Sequence, residues 1–190
     1  MAKFNFSNQR GFSIVETIFA TGILATSIVA LAQMFAISVS NNRNSRSGSY
    51  AVTLAEQKME QLRGLTYGFD TIGLPITDTN TDTTQPIEAP TGGTGLTPSP
   101  SGTLISNTSG YVDYIDQFGH VLGGGTGLRA KAVYVRRWSI DPLPTNPNST
   151  IVIQVLVTRQ HNRGLADQTG STERLANEAR IISVKTRKAQ

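Results

Sequence analysis

Cysteine is absent from all 190 residues, so no disulfide can staple the fold and thiolate-built zinc sites are excluded. Proline is absent from Met1 to Leu74, which frees the first third of the chain from the strongest helix breaker. Charge is absent from Thr17 to Asn42. Histidine occurs only at His120 and His161, both in expected turns and without a paired carboxylate and cysteine set, so each reads as a solvated polar residue. The net charge of +4 is modest. Lys3 and Arg10 contribute two of the basic residues before position 12, with no acidic residue beside them, so the charge says little about partners.

The uncharged run decides the class. Ile18 to Val39 is dominated by Ile, Leu, Val, Ala, Phe and Met, and about 20 such residues span a bilayer as a helix. Lys3 and Arg10 on the short upstream side hold that side in the cytoplasm and place the bulk of the chain across the membrane. Glu16 is the anomaly. A carboxylate costs roughly 2.5–3.5 kcal/mol at the centre of a spanning helix and less near its end. By itself it reads as an acidic residue favoured by the dipole of a first helical turn.

It does not stand by itself. The run Arg10-Gly11-Phe12-Ser13-Ile14-Val15-Glu16 resembles the processing motif of type IV prepilins and pseudopilins. In that family a short basic leader ends in Gly, an aromatic residue follows, and Glu occupies the fifth mature position. Gly11 and Phe12 match the junction, and Glu16 is fifth from Phe12. The resemblance implies cleavage after Gly11 by a prepilin peptidase, where glycine offers an unhindered backbone. It implies methylation of the freed Phe12 amine. It also implies that Glu16 pairs with the N-terminus of a neighbouring subunit, so that a charge costly in isolation sets register once paired.

An ordinary signal peptide is the competing reading, with Ala30-Leu31-Ala32 as its small-x-small site. Glu16 interrupts its core, and the apolar run continues past the site through Met34, Phe35, Ile37 and Val39. A plain signal anchor is the remaining membrane alternative.

Helical spacing continues beyond the membrane edge. Ala51, Leu54, Ala55, Met59 and Leu62 recur on one face, with Glu56, Lys58, Glu60 and Arg63 between them. Gly64 and Gly68 supply stop signals. One helix from Phe12 to about Arg63 would be roughly 78 Å long, with Gly22 and the polar Asn41–Gly48 stretch as its weak points. Residues 71–110, rich in Thr, Gly, Pro, Ser and Asp, read as a long exposed loop. Strands are expected at Tyr111–Ile115 and Gly119–Leu122 as a hairpin, at Lys131–Ile140, at Ile151–Thr158 and at Ala179–Lys185. Alternation puts Tyr134, Trp138 and Ile140 on one face and Val133, Val135 and Arg137 on the other. Ile151, Ile153, Val155 and Val157 share a face.

The expected fold is therefore α+β: a long N-terminal helix, membrane-spanning in its first half, packed by a C-terminal antiparallel β-sheet. This too resembles the pilin-like fold. The expected divisions are a leader over 1–11, the hydrophobic half of the helix over 12–39, its amphipathic half over 40–64, and a globular domain over 65–190. Within the family the nearer resemblance is to minor pilins of the V type or minor pseudopilins of the I type. It rests on Ile23-Leu24-Ala25, Ala30-Leu31-Ala32-Gln33 and Leu54-Ala55-Glu56-Gln57-Lys58-Met59-Glu60-Gln61-Leu62-Arg63. The resemblance implies a bacterial inner-membrane precursor that enters a type IV pilus (a fimbrium) or a type II secretion pseudopilus. Its implied partners are the prepilin peptidase, other pilin or pseudopilin subunits, the inner-membrane assembly platform and membrane lipids.

Catalytic and cofactor chemistry is not expected. Gly123-Gly124-Gly125-Thr126-Gly127 lacks the lysine of a phosphate loop and reads as a turn. Asp78-Thr79-Asn80-Thr81-Asp82 opens like a calcium loop, but Thr83 replaces the required Gly and Ala89 the closing Glu. No nucleophile elbow surrounds any serine. Arg136-Arg137-Trp138 and Arg159 to Arg163 could form a basic patch with an aromatic, the footprint of a DNA-binding module. Strand-borne arginines are more often solvated face residues.

Overall fold

The computed structural model describes residues 11–85, 92–127, 129–160 and 178–187. Lys3, Arg10, His161 and Arg163 lie outside the described residues. The chain divides into two compact units, Met1–Asn44 and Ser45–Gln190. Helix α1, Ile14–Gly64, contributes to both. It is helical through Gly22 and through Asn41–Gly48, the two stretches expected to be weak. With no proline present, neither glycine nor asparagine is enough to stop it.

The first unit is the apolar stretch of α1. It contains an 18-residue window of mean hydropathy 2.0, none of it buried by the rest of the chain. This helix is long and apolar enough to cross a membrane.

The second unit pairs the rest of α1 with a five-stranded sheet. Its strands are β1 (Val112–Ile115), β2 (Val121–Gly124), β3 (Tyr134–Pro142), β4 (Thr150–Arg159) and β5 (Ala179–Thr186). All neighbours are antiparallel, in the order β2-β1-β3-β4-β5. One core joins Ala51, Leu54, Ala55, Met59 and Leu62 of the helix to Tyr134, Trp138, Ile140, Ile151, Ile153, Val155 and Val157 of the sheet. Each fully buried aliphatic side chain in this seam contributes about 1.5–3 kcal/mol. The period-2 pattern of β4 thus meets the helical stripe, as the alternation implied.

The other face of β3 is also closed. Val135 packs with Val112 and Tyr114, with Leu122 and Ala132 against them. In β5 the inward residues are Ala179 and Ile181, and Ile182 and Val184 face out.

Two expectations need correction. Among its described residues the segment 71–110 has neither a helix nor a strand of the sheet, but it is not simply an exposed loop: Leu96, Thr83 and Thr103 are buried. Its backbone pairs with itself, Gly93 N donating to Asn80 O at 2.9 Å and Leu96 N to Asp78 O at 2.7 Å. Gly93 permits that approach, because a Cβ there would lie 2.1 Å from Thr81 O. The glycine run from Gly123 is not wholly a turn either. Val121–Gly124 is strand β2, two residues later than the expected Gly119–Leu122, because Asp116–His120 takes up the turn.

Candidate functional site

Gly11, Phe12 and Ser13 precede α1, and Glu16 falls in its first turn. The candidate processing and assembly residues are therefore neighbours along one short segment. Phe12 is 80% exposed, and Ile14, Val15, Ile18 and Phe19 are exposed with it. Ser13 and Glu16 have the spacing of a capping box, and Thr17 N donates to Ser13 O at 3.1 Å. Among the described residues Glu16 forms no ion pair. The polar side chains downstream are satisfied locally. Thr17 donates to Ile14 O at 2.7 Å, Thr21 to Thr17 O at 2.8 Å, Thr26 to Ile23 O at 2.9 Å and Ser27 to Ile23 O at 2.7 Å. With these four hydroxyls returned to backbone carbonyls, their cost in an apolar surrounding is offset. Glu16 is the one charge between Gly11 and Asn42.

The most concentrated chemistry lies elsewhere, between helix and sheet. Asp113 on β1 is fully buried and holds two cations. Arg136 on β3 grips it as a fork, Nε to Oδ1 at 3.0 Å and Nη2 to Oδ2 at 2.8 Å, and donates from Nη1 to Leu54 O at 2.8 Å. Lys58 on α1 places Nζ 2.9 Å from Asp113 Oδ2 and 4.4 Å above the centre of the Trp138 ring. Lys58 also donates to Gln61 Oε1 at 2.8 Å and to Thr83 O. One buried carboxylate thus ties α1, β1, β3 and the long loop together. None of its three ionic side chains exceeds 5% exposure, so the cluster acts as a clamp closed to substrates.

This clamp carries a pH signature. Burial pushes the Lys58 ammonium down to about 8 from 10.5, opposed by the Asp113 carboxylate. Between those values the unfolded chain keeps a proton that the folded one has released, so stability rises with pH. The gap corresponds to about 3 kcal/mol. The second unit is expected to gain denaturant resistance from pH 8 towards 10, with Lys185, lowered by burial, adding in the same direction. Tyr67 and Tyr111, raised by burial, reverse the trend above about pH 10. Urea titrations of the full chain in detergent across this range check the slope, which Lys58→Met should reduce to the smaller part owed to Lys185.

The basic-patch expectation is overturned at its centre. Arg136, Arg137 and Trp138 are buried, and Arg137 donates to Asn107 Oδ1 at 2.9 Å and 2.5 Å. The arginines are consumed inside the domain, so this run offers no surface to DNA. Asp78 and Asp82 are likewise committed to turns. Asp78 accepts from Asn80 N and Thr81 N at 3.1 Å, and Asp82 from Thr84 N at 2.9 Å. Among the described residues no three His, Asp or Glu side chains are gathered to hold a metal ion. His120, expected to lack a paired carboxylate, has one: its Nδ1 lies 3.0 Å from Asp116 Oδ2 in an exposed turn.

Sequence reasoning passed over the clamp. Its signal was present: Leu54, Lys58 and Leu62 are spaced by four and share the buried stripe, so Lys58 needed a partner inside. No protein-family model, curated protein or solved structure matches the chain.

Proposed function

We propose that the chain is the precursor of a type IV pilin-like subunit, a minor component of a type IV pilus or a type II secretion pseudopilus. In this reading a prepilin peptidase cuts after Gly11, the new Phe12 amine is methylated, and the apolar helix packs among those of other subunits. Glu16 then meets a neighbour's N-terminus. The observation that carries the reading is the Gly11-Phe12 junction with Glu16 at the head of a helix whose apolar side chains the chain itself leaves uncovered. An apolar face without a cover calls for lipid or other helices. The α+β domain built on the polar half of that helix is consistent with a pilin-like fold. The clamp suits the role, since it binds the sheet to the helix that would carry load in a filament.

Intact mass and N-terminal sequence of the membrane-extracted protein, with and without a prepilin peptidase, test it. A peptidase-dependent start at Phe12, one methyl group heavier, is expected. A start at Gln33 would mean a secreted soluble domain, and an uncut chain beside active peptidase a plain membrane anchor.

A further inference from the structure

The second unit has a polarity along α1 that points to one more surface. Ser47 Oγ lies 3.2 Å from Tyr134 Oη, Leu54 O accepts from Arg136, and Lys58 sits over Trp138. Farther on, Lys185 Nζ reaches Arg63 O at 2.6 Å. Strand β3 therefore runs alongside α1 in the same direction, and Tyr134 marks the end of the domain where the chain enters it. Ile115 and Arg159 pair with Tyr134 in that row. The tight turn Asp116–His120 projects beyond it, with Asp116 N donating to His120 O at 3.1 Å.

That turn is built around Gly119. Its φ is +92°, and a Cβ there would meet Tyr50 Oη at 2.4 Å, so the turn is held against the helix. The consequence is an aromatic side chain turned outward: Phe118 is 71% exposed. Arg46 and Lys131 are exposed and Arg159 half-buried at the same end. Of the described carboxylates there, Asp116 is occupied by its own turn, Oδ1 accepting from Phe118 N at 2.8 Å and His120 N at 2.9 Å; Glu178 is the other described one. The uncharged run ends at Asn42, three residues before the unit begins at Ser45. By connectivity, a bilayer holding that run lies at this end of the domain.

We infer that this end is a lipid-contact surface, with Phe118 entering the headgroup layer of an anionic bilayer and Arg46, Lys131 and Arg159 meeting its phosphates. Aromatic residues favour that layer, and cations near it are drawn to anionic lipid. The surface gives the subunit a resting place before assembly. The inference rests on the membrane reading of α1 and goes beyond it.

Tryptophan fluorescence of the full chain in phosphatidylcholine–phosphatidylglycerol vesicles tests it, with brominated phosphatidylcholine as the quencher. The native Trp138 is fully buried in the core and supplies an unquenched baseline. Phe118→Trp is expected to add blue-shifted emission that brominated lipid quenches, and Phe35→Trp serves as the positive control inside the apolar run. Quenching of Phe35→Trp with red-shifted, unquenched emission from Phe118→Trp overturns the inference and leaves the membrane reading standing. Blue-shifted but unquenched emission from Phe118→Trp also overturns it, since protein rather than lipid then covers the turn. Loss of quenching in both variants removes the membrane reading itself.

Discussion

Asp113→Ala is expected to destabilise the second unit by about 3–5 kcal/mol, because it strands the Lys58 and Arg136 charges in a site without water. A whole domain has only about 5–15 kcal/mol of stability, so the variant is expected to melt at much lower temperature or fail to accumulate. Lys58→Met should behave differently. Asp113 then keeps its two bonds from Arg136, while the methionine fills the same space over Trp138 without a charge to desolvate. Its cost is expected to stay below about 2 kcal/mol, since Asp113 stays paired with Arg136 and no buried charge is left uncompensated. Thermal melts of the two variants, side by side in detergent, separate a clamp centred on Asp113 from a general intolerance of change at this seam. Equal losses would count against the centring.

Glu16→Ala is the second large effect. Under the proposed function it should abolish or severely weaken incorporation into filaments while leaving membrane insertion intact. Insertion has nothing to lose, because removing a carboxylate from an apolar helix favours the bilayer by up to roughly 2.5–3.5 kcal/mol. Assembly loses the partner for an N-terminal amine that would otherwise be buried unpaired. Incorporation therefore falls while insertion holds, a separation that a general folding defect would not produce. Fractionation into membrane and sheared-filament pools, followed by immunodetection, reads both at once. Normal incorporation of Glu16→Ala would sink the role assigned to this residue.

The sequence made the architecture legible where one periodicity ran long enough. The charge-free stretch from Thr17 to Asn42, the stripe from Ala51 to Leu62 and the alternation from Ile151 to Val157 each dictate a face. The observed helix, sheet and shared core follow from them. The hairpin was readable but its second strand was placed two residues early, because the turn organised by Asp116 extends through His120. Burial of charge was the real blind spot. Arg136 and Lys58 look like surface residues by type; the place of Lys58 in the helical stripe marked it as interior, but nothing in the sequence shows that Asp113 meets both cations. The described part of 71–110 was opaque for a related reason: its backbone pairing and threonine burial leave no periodic trace.

That backbone pairing has an evolutionary consequence. Gly93, Gly95 and Leu96 are zipped to Asn80, Thr81 and Asp78. A Cβ at Gly93 would lie 2.1 Å from Thr81 O, and one at Gly95 2.4 Å from Asp78 O. Selection is therefore held to glycine at both positions, because any side chain there would push the two backbones apart and break the pairing.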